Sequence, residues 1–192
     1  MYTRLLVPLD GSKTAENVLP YARCLARGLN LPVELLAVID IVALGTSLGH
    51  ERTFHIERIL TQQREAGQRY LETVGRSFEP APVTFSVESG TVAEIIVEEA
   101  AKDRGTLIAM STHGRTGARR WLLGSVTEKV FRSTANPLLV VRARPDVDIK
   151  GDATLKTVVV PLDGSQVAET ALPSVVELAK RWDVQVLLVR AF

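Results

Sequence analysis

The residues best suited to chemistry by type and spacing are small ones in the stretch from Ser111 to Ser125. Gly114 and Gly117 follow an apolar run typical of a buried strand, and Gly124-Ser125 opens a segment of helical period. Backbone N–H groups and the positive end of a helix can converge there on an anion, and glycine lets phosphate oxygens approach closely. The spacing matches neither the Walker A loop nor the dinucleotide fingerprint. The spacing therefore predicts an anion-binding site but does not indicate which anion binds.

Two other apolar runs end in polar residues, the first in Pro8-Leu-Asp10-Gly-Ser12 and the second in Val38-Ile-Asp40. In a doubly wound sheet the first and fourth strands are neighbours where the connections reverse direction, and the loops after them flank the ligand crevice. Asp10 to Ser12 could also be a simple turn and helix cap. Together with the glycine loop, ligand contact is the favoured interpretation.

The elements that must position these loops follow from hydrophobic periodicity. Apolar runs alternate with longer segments of helical period, which predicts βα units around a parallel sheet. Four predicted strands are apolar almost throughout, as in strands covered on both faces, whereas residues 83–87 alternate and fit an edge strand. We predict five strands, at residues 5–9, 33–39, 83–87, 107–110 and 137–141, and four helices between them.

Several helix starts carry their own signals. Thr91 to Glu94 and Ser125 to Glu128 have the spacing of capping boxes, so Ser125 could cap a helix as well as bind an anion. Pro20 lies inside the first helical stripe and predicts a kink or a late helix start, and Pro173 predicts the same further on. Residues 41–55 form a longer connection than usual, either a lid over the ligand or a mobile link.

The hexapeptide VPLDGS occurs twice, at residues 7–12 and 160–165, an offset of 160 − 7 = 153 residues. The similarity continues through the following helix. We therefore predict a complete unit at residues 1–143, a polar linker at 144–154, and the opening β-α-β of a second, incomplete repeat at 155–192. The second copy has the apolar faces of a sheet interior but lacks its own fourth and fifth strands and a glycine loop, so we expect it to dock on the first unit or on another chain. A stop after a buried-type strand favours a fragment of a longer chain.

Composition excludes several classes of protein. The 192 residues include 46% hydrophobic and 23% charged residues, as in a globular protein with a real core. A formal charge of +1 gives no field that would hold a nucleic acid. The single Cys24 cannot form an internal disulfide, and three scattered histidines do not have metal-ligand spacing. With no signal peptide or membrane span in the sequence, we predict a cytoplasmic protein.

The combination of motifs resembles one family. Ser111-x2-Gly114-x9-Gly124-Ser125 resembles the G-x2-G-x9-G-[S/T] nucleotide loop of universal stress proteins, with serine in place of the first glycine. The segment from Pro8 to Ser12 and the closing Asn136-Pro-Leu-Leu-Val-Val141 are also similar to that family. The resemblance covers residues 1 to about 143, and the repeated layout resembles family members with two such domains.

The resemblance implies an ATP-binding α/β domain: an open, doubly wound, five-stranded parallel sheet in the order 3-2-1-4-5, with helices on both faces. This is a Rossmann-like fold of the adenine nucleotide alpha hydrolase type. It also implies site roles. Asp10 would bind the ribose, Pro8 and Val38 would border the adenine, Met110 and Ser111 would line the ribose side, and Gly114, Arg115, Gly124, Ser125 and Val126 would hold the phosphates. Leu9 and His113 complete the predicted site.

His113 could act as an acid or base, but no nucleophile or carboxylate is assigned to it by spacing, so a loop-positioning or solvent-facing role is favoured. We therefore assign no catalytic residue and no protein metal site. The leading hypothesis is a nucleotide-responsive stress or signalling module that binds ATP, with or without Mg²⁺, and acts through dimerisation or partner binding. One alternative is a slow Mg²⁺-dependent ATP hydrolase in which Asp10 or His113 assists water.

The fifth strand suggests an interaction surface. Its run of Leu138, Leu139, Val140 and Val141 is too apolar to be left as an open edge, so we expect a homodimer or a pairing between domains there. A second alternative follows from the same run: a nucleotide-independent scaffold that uses this strand. Neither a nucleic acid nor a membrane is an expected partner.

Overall fold

The computed structural model describes residues 2–48, 56–112, 124–145 and 148–190. These fall into two units. The first is Tyr2–Asp152, and the second begins at Ala153. Each unit is described by itself below.

The first unit is built on a five-stranded parallel sheet in the order β3-β2-β1-β4-β5, which confirms the predicted order and class. Its strands are β1 (Arg4–Pro8), β2 (Val33–Asp40), β3 (Val83–Gly90), β4 (Thr106–Thr112) and β5 (Leu138–Arg142). Its helices are α1 (Leu19–Leu29), α2 (Ile41–Leu48), α3 (Ile56–Gly75), α4 (Val92–Ala101) and α5 (Ser125–Ser133), with short 3-10 turns at Ala15–Val18 and Arg76–Phe78.

Apolar side chains on both faces of the central strands hold the layers together. Leu6, Leu36 and Ile108 are fully buried against α4 and α5 in one core cluster. In the described sheet β3 lies at the edge beside β2, and Thr84 and Glu88 on it are exposed, so the predicted edge strand is confirmed. The apolar stripes of α4 and α5 therefore face the sheet, as the helical periodicity of the sequence predicts.

Helix α2 corrects the prediction for residues 41–55. We expected four helices in this unit, with residues 41–55 forming a lid or a mobile link, but α2 begins directly after β2. The Oδ1 atom of Asp40 accepts hydrogen bonds from the N–H groups of Val42 and Ala43, both at 3.0 Å. Asp40 is therefore the N-cap residue of α2. An aspartate directly before an apolar run was the sequence signal that could have predicted this helix start. Residues 49–55 lie outside the described ranges.

Both predicted capping boxes are wrong. Thr91 occupies the N-cap position of α4 but makes no side-chain cap hydrogen bond. In α5 the N-cap is Gly124, and Ser125 is already the first helical residue, one position too late to cap. The late start predicted from Pro20 is confirmed, because α1 begins at Leu19 and the proline lies in its first turn, where a missing N–H is tolerated.

The second unit contains β6 (Thr157–Leu162), α6 (Gln166–Glu169), α7 (Leu172–Trp182) and β7 (Gln185–Arg190). Its two parallel strands reproduce the register of the first copy, since Val158 pairs with Val186 as Leu5 pairs with Val33. The sequence repeat is thus a repeat of local structure. Leu188 is 57% exposed, which shows apolar strand surface uncovered in this unit.

Within the described ranges, no helix combines the length and apolar character needed to cross a membrane.

Candidate functional site

A cavity of about 260 Å³ opens at the carboxyl edge of the sheet, where the connections reverse direction between β1 and β4. Its walls are apolar and come from β2, β4 and α4. Its rim is polar and comes from the loop after β1 and the first turn of α5. A narrow apolar slot with a few converging polar groups fits a small heterocyclic ligand that carries polar substituents. The wall residues are Leu36, Val38, Val92, Ile96 and Met110.

All the predicted site residues within the described ranges line this cavity: Pro8, Leu9, Asp10, Val38, Met110, Ser111, Gly124, Ser125 and Val126. His113, Gly114 and Arg115 lie outside the described residues. The cavity is also lined by residues that the sequence analysis did not assign to the site, including Thr14, Asp40 and Thr127. The roles of all these residues toward a ligand remain predictions.

The turn after β1 places a carboxylate at the rim. The Oδ1 atom of Asp10 accepts from the N–H of Ser12 at 2.9 Å, and Ser12 Oγ accepts from the N–H of Ala15 at 3.1 Å. Gly11 has φ +78°, a left-handed conformation that glycine adopts without strain. A carboxylate has about four acceptor positions, so this turn does not use up the capacity of Asp10. The turn interpretation and the ligand interpretation are therefore compatible.

Helix α3 supports this turn from one face of the sheet. The Tyr70 hydroxyl donates to Glu16 Oε1 at 3.0 Å. Burial raises the pKa of Tyr70 well above its ordinary value, and the neighbouring carboxylates of Glu16 and Asp10 raise it further. Tyr70 is therefore held as a neutral hydroxyl that joins α3 to the 3-10 turn at Ala15–Val18.

Replacing Tyr70 by phenylalanine is expected to lower the free energy of unfolding by about 1–2 kcal/mol, because the Glu16 carboxylate loses its hydroxyl donor. A raised pKa stabilises the folded state fully below the ordinary tyrosine pKa, and this stabilisation is lost as pH rises above it. An alkaline titration followed by tyrosinate absorbance should show a late step in the wild type that Tyr70→Phe lacks. Identical titration curves for the two proteins would contradict this assignment.

Strand β4 and the chain after β5 hold the same segment from other directions. The Ser111 hydroxyl donates to the carbonyl oxygen of Thr14, and the backbone N–H of Arg144 donates to Asn17 Oδ1 at 2.9 Å. In turn, Thr127 Oγ1 donates to the carbonyl oxygen of Ser111 at 3.3 Å. Thr127 is a buried polar residue on the same helix face as Val130, and this i, i+3 relation was the signal that could have identified it.

The first turn of α5 supplies the positive end of a helix. Gly124, Ser125 and Val126 line the cavity there, and the first N–H groups of a helix have no partner within it. Such a terminus favours an anionic group. In the described part of the chain, no group of three or more His, Cys, Asp or Glu residues is arranged to hold a metal ion.

Comparison with known proteins identifies the relatives of this arrangement. A model of the Usp, or universal stress protein, family matches residues 1–142. The Methanocaldococcus jannaschii universal stress protein MJ0531 is 33% identical over 144 residues, which are 74% of this chain and 83% of that protein.

Solved structures agree with this comparison. The structure of MJ0577, from the same archaeon, is 30% identical with a TM-score of 0.64, and the match covers 76% of this chain and 99% of that one. A universal stress protein solved in complex with cAMP is 20% identical with a TM-score of 0.52, covering 74% of this chain and 98% of that one. At that level of identity the second structure shows a shared fold.

Proposed function

Because the chain belongs to the universal stress protein family, we propose that it binds ATP in the cavity between β1, β2, β4 and α5 and acts as a nucleotide-responsive stress or signalling module. The proposal rests on one observation, that residues from several elements converge on a single cavity. Segments far apart in sequence, the loop after β1, the carboxyl ends of β2 and β4 and the start of α5, bring an apolar slot, a carboxylate and a helix N-terminus to one cavity. These are the groups that a base, a sugar and a phosphate require.

Each part of ATP has a matching surface. The adenine would lie between Val38 and Met110, whose side chains line the slot. The ribose hydroxyls would donate to the carboxylate of Asp10, whose Oδ1 already holds the turn. The phosphates would lie at the N-terminus of α5, where Ser125 adds a hydroxyl donor. The family member solved with cAMP supports this class of ligand, because cAMP has the same base and sugar.

A Mg²⁺ ion bound with ATP would be held mainly by phosphate oxygens and water, which this small, hard cation prefers. Asp10 and Asp40 are the carboxylates of the described part of the cavity. Asp40 caps α2 through Oδ1, and Asp10 holds the turn. Neither is assigned as a general base, and the proposal is therefore a binding protein rather than an efficient hydrolase.

A titration with a fluorescent ATP analogue, together with native mass spectrometry, tests the proposal. We expect a saturable 1:1 complex that unlabelled ATP displaces, and an adenine nucleotide that copurifies with the protein. Absence of both would overturn the proposal and favour the nucleotide-independent scaffold. Steady phosphate release that disappears in His113→Ala would instead favour the slow hydrolase.

The partner in this proposal is a second copy of the chain or another domain, associating through β5. One edge of β5 pairs with β4, and Leu138, Leu139 and Val140 are only partly buried. An apolar strand of this kind is protected when another strand or surface covers it. Nucleotide-dependent association, followed by light scattering with and without ATP, is the expected behaviour of such a module.

A further inference from the structure

We propose that Ser111 is a positioning residue that fixes the loop after β1 before any ligand arrives. The Ser111 hydroxyl donates a hydrogen bond to the carbonyl oxygen of Thr14, which we call the bridge. The effect of the bridge on nucleotide binding rests on the proposed function. Serine stands here at the position where the nucleotide loop it resembles has glycine. In the structure the serine hydroxyl donates a hydrogen bond, which glycine, having no side chain, cannot do.

The bridge joins elements far apart in the chain. Ser111 lies near the carboxyl end of β4, and its hydroxyl donates to Thr14, 97 residues earlier. Its own carbonyl accepts from Thr127 in α5, a side chain that is only 3% exposed. A continuous series of hydrogen bonds thus runs from α5 through β4 to the loop after β1. Thr14 and Ala15, at the end of that series, line the cavity.

The second repeat contains the same turn in a unit whose described residues form two strands, β6 and β7. There Val167, the counterpart of Thr14, has a carbonyl that accepts from the backbone N–H of Thr170 at 3.2 Å and from the hydroxyl of the same residue at 2.6 Å. The turn satisfies both lone pairs of this carbonyl from its own residues. The Val167 carbonyl therefore needs no donor from outside the turn.

In the first unit the position of Thr170 is occupied by Asn17. Its backbone N–H donates to the Thr14 carbonyl at 3.2 Å, as in the second repeat. Its side-chain amide, however, donates to the carbonyl of Lys13 at 2.8 Å. The second lone pair of the Thr14 carbonyl is therefore left for the Ser111 hydroxyl. Because the Asn17 side chain bonds Lys13 instead, Ser111 can bond the Thr14 carbonyl and attach the loop to strand β4. In the second repeat, the corresponding carbonyl is bonded within the turn.

This attachment has a consequence for binding. A loop that is already ordered loses less conformational entropy when a ligand binds, so a preformed wall raises affinity. If the serine only obstructed the approach of the phosphates, the Ser111→Gly variant would bind the nucleotide more tightly than wild type. The bridge predicts the opposite, namely that removing the hydroxyl weakens binding even though it makes room.

Three substitutions separate these alternatives: Ser111→Gly, Ser111→Ala and Ser111→Thr. With the fluorescent ATP analogue, we expect the dissociation constant to rise about tenfold in the glycine and alanine variants, as for loss of one hydrogen bond. The threonine variant keeps the hydroxyl and suits a strand, so its affinity should stay within about threefold of wild type. Binding by Ser111→Gly that is as tight as wild type, or tighter, would overturn the proposal.

Hydrogen exchange of the protein without nucleotide gives a readout that does not depend on binding. The backbone N–H groups of residues 12–17 should exchange about tenfold faster in Ser111→Ala than in wild type, and Ser111→Thr should restore protection. Residues 165–170 of the second repeat are the internal control and should not change. Equal protection of residues 12–17 in all variants would refute the bridge. Failure of wild type to bind ATP, with the exchange contrast intact, would refute the proposed function alone.

Discussion

Replacing Asp10 by alanine is expected to weaken binding of an ATP analogue about 100-fold while the first unit remains folded. Asp10 is the carboxylate on the cavity rim beside the apolar slot, and in the proposed complex it accepts hydrogen bonds from the ribose hydroxyls. A hydrogen bond to a charged group contributes about 1.5–3 kcal/mol, and about 2.7 kcal/mol corresponds to a hundredfold change in the dissociation constant. The same fluorescence titration measures the effect.

The repeat provides a matched control. Asp163 forms the same turn as Asp10, with its Oδ1 accepting from the N–H of Ser165 at 2.8 Å beside Gly164 at φ +87°. It lies in the second unit, outside the cavity described above. Asp163→Ala should therefore lose its turn hydrogen bond without changing nucleotide affinity. If both alanine variants bound the analogue as wild type does, Asp10 would be only a turn residue.

Replacing Arg23 by methionine is expected to lower the free energy of unfolding of the first unit by about 2–4 kcal/mol, through loss of several hydrogen bonds and an ion pair. Arg23 lies in α1 and is only 2% exposed. Its guanidinium forms an ion pair with Asp152 at 2.9 Å and donates to the carbonyl oxygens of Ile149, at 2.7 Å, and Gly151. A fixed fork of donors can satisfy all these acceptors at once.

Arg27 provides the control for Arg23. It also pairs with Asp152, but its side chain is 46% exposed, and exposed ion pairs contribute about 0–1 kcal/mol. Thermal unfolding should show a decrease in Tm of roughly 2–4 °C for each kcal/mol lost in a unit of this size. Arg23→Met should therefore unfold well below Arg27→Met. Equal Tm values for the two variants would contradict the role given to Arg23.

Cys24 gives a second, local measurement. Burial raises the pKa of this thiol, and the neighbouring carboxylate of Asp152 raises it further. In Arg23→Met, residues 149–152 lose their anchor on α1, so both effects should weaken. The rate of Cys24 modification by a thiol reagent at neutral pH should therefore rise in Arg23→Met and change little in Arg27→Met, because the thiolate is the reactive form.

The sequence by itself determined the features that depend on local pattern. Continuous apolar runs predicted the central strands, and the alternation at residues 83–87 predicted the outer position of β3, which the structure confirms. The repeat of VPLDGS predicted that one turn would occur twice, and the turns at Asp10 and Asp163 share the same hydrogen bonds. Strand ends with polar loops also indicated which residues would meet, because parallel strands place their carboxyl ends at one edge.

Only the tertiary structure decided features that depend on contacts between distant residues. The bridge from Ser111 to Thr14 and the anchoring of residues 149–152 by Arg23 join segments about 100 or more residues apart, and no periodicity encodes such pairs. In α5 the box-like spacing did not produce a cap, because a side-chain oxygen caps only from the N-cap position itself, which Gly124 occupies. Thr91 does occupy the N-cap position of α4 and still makes no side-chain cap hydrogen bond. Local pattern thus indicated the five strands and most of the helices, whereas the partners of individual polar groups depended on the packing of the whole unit.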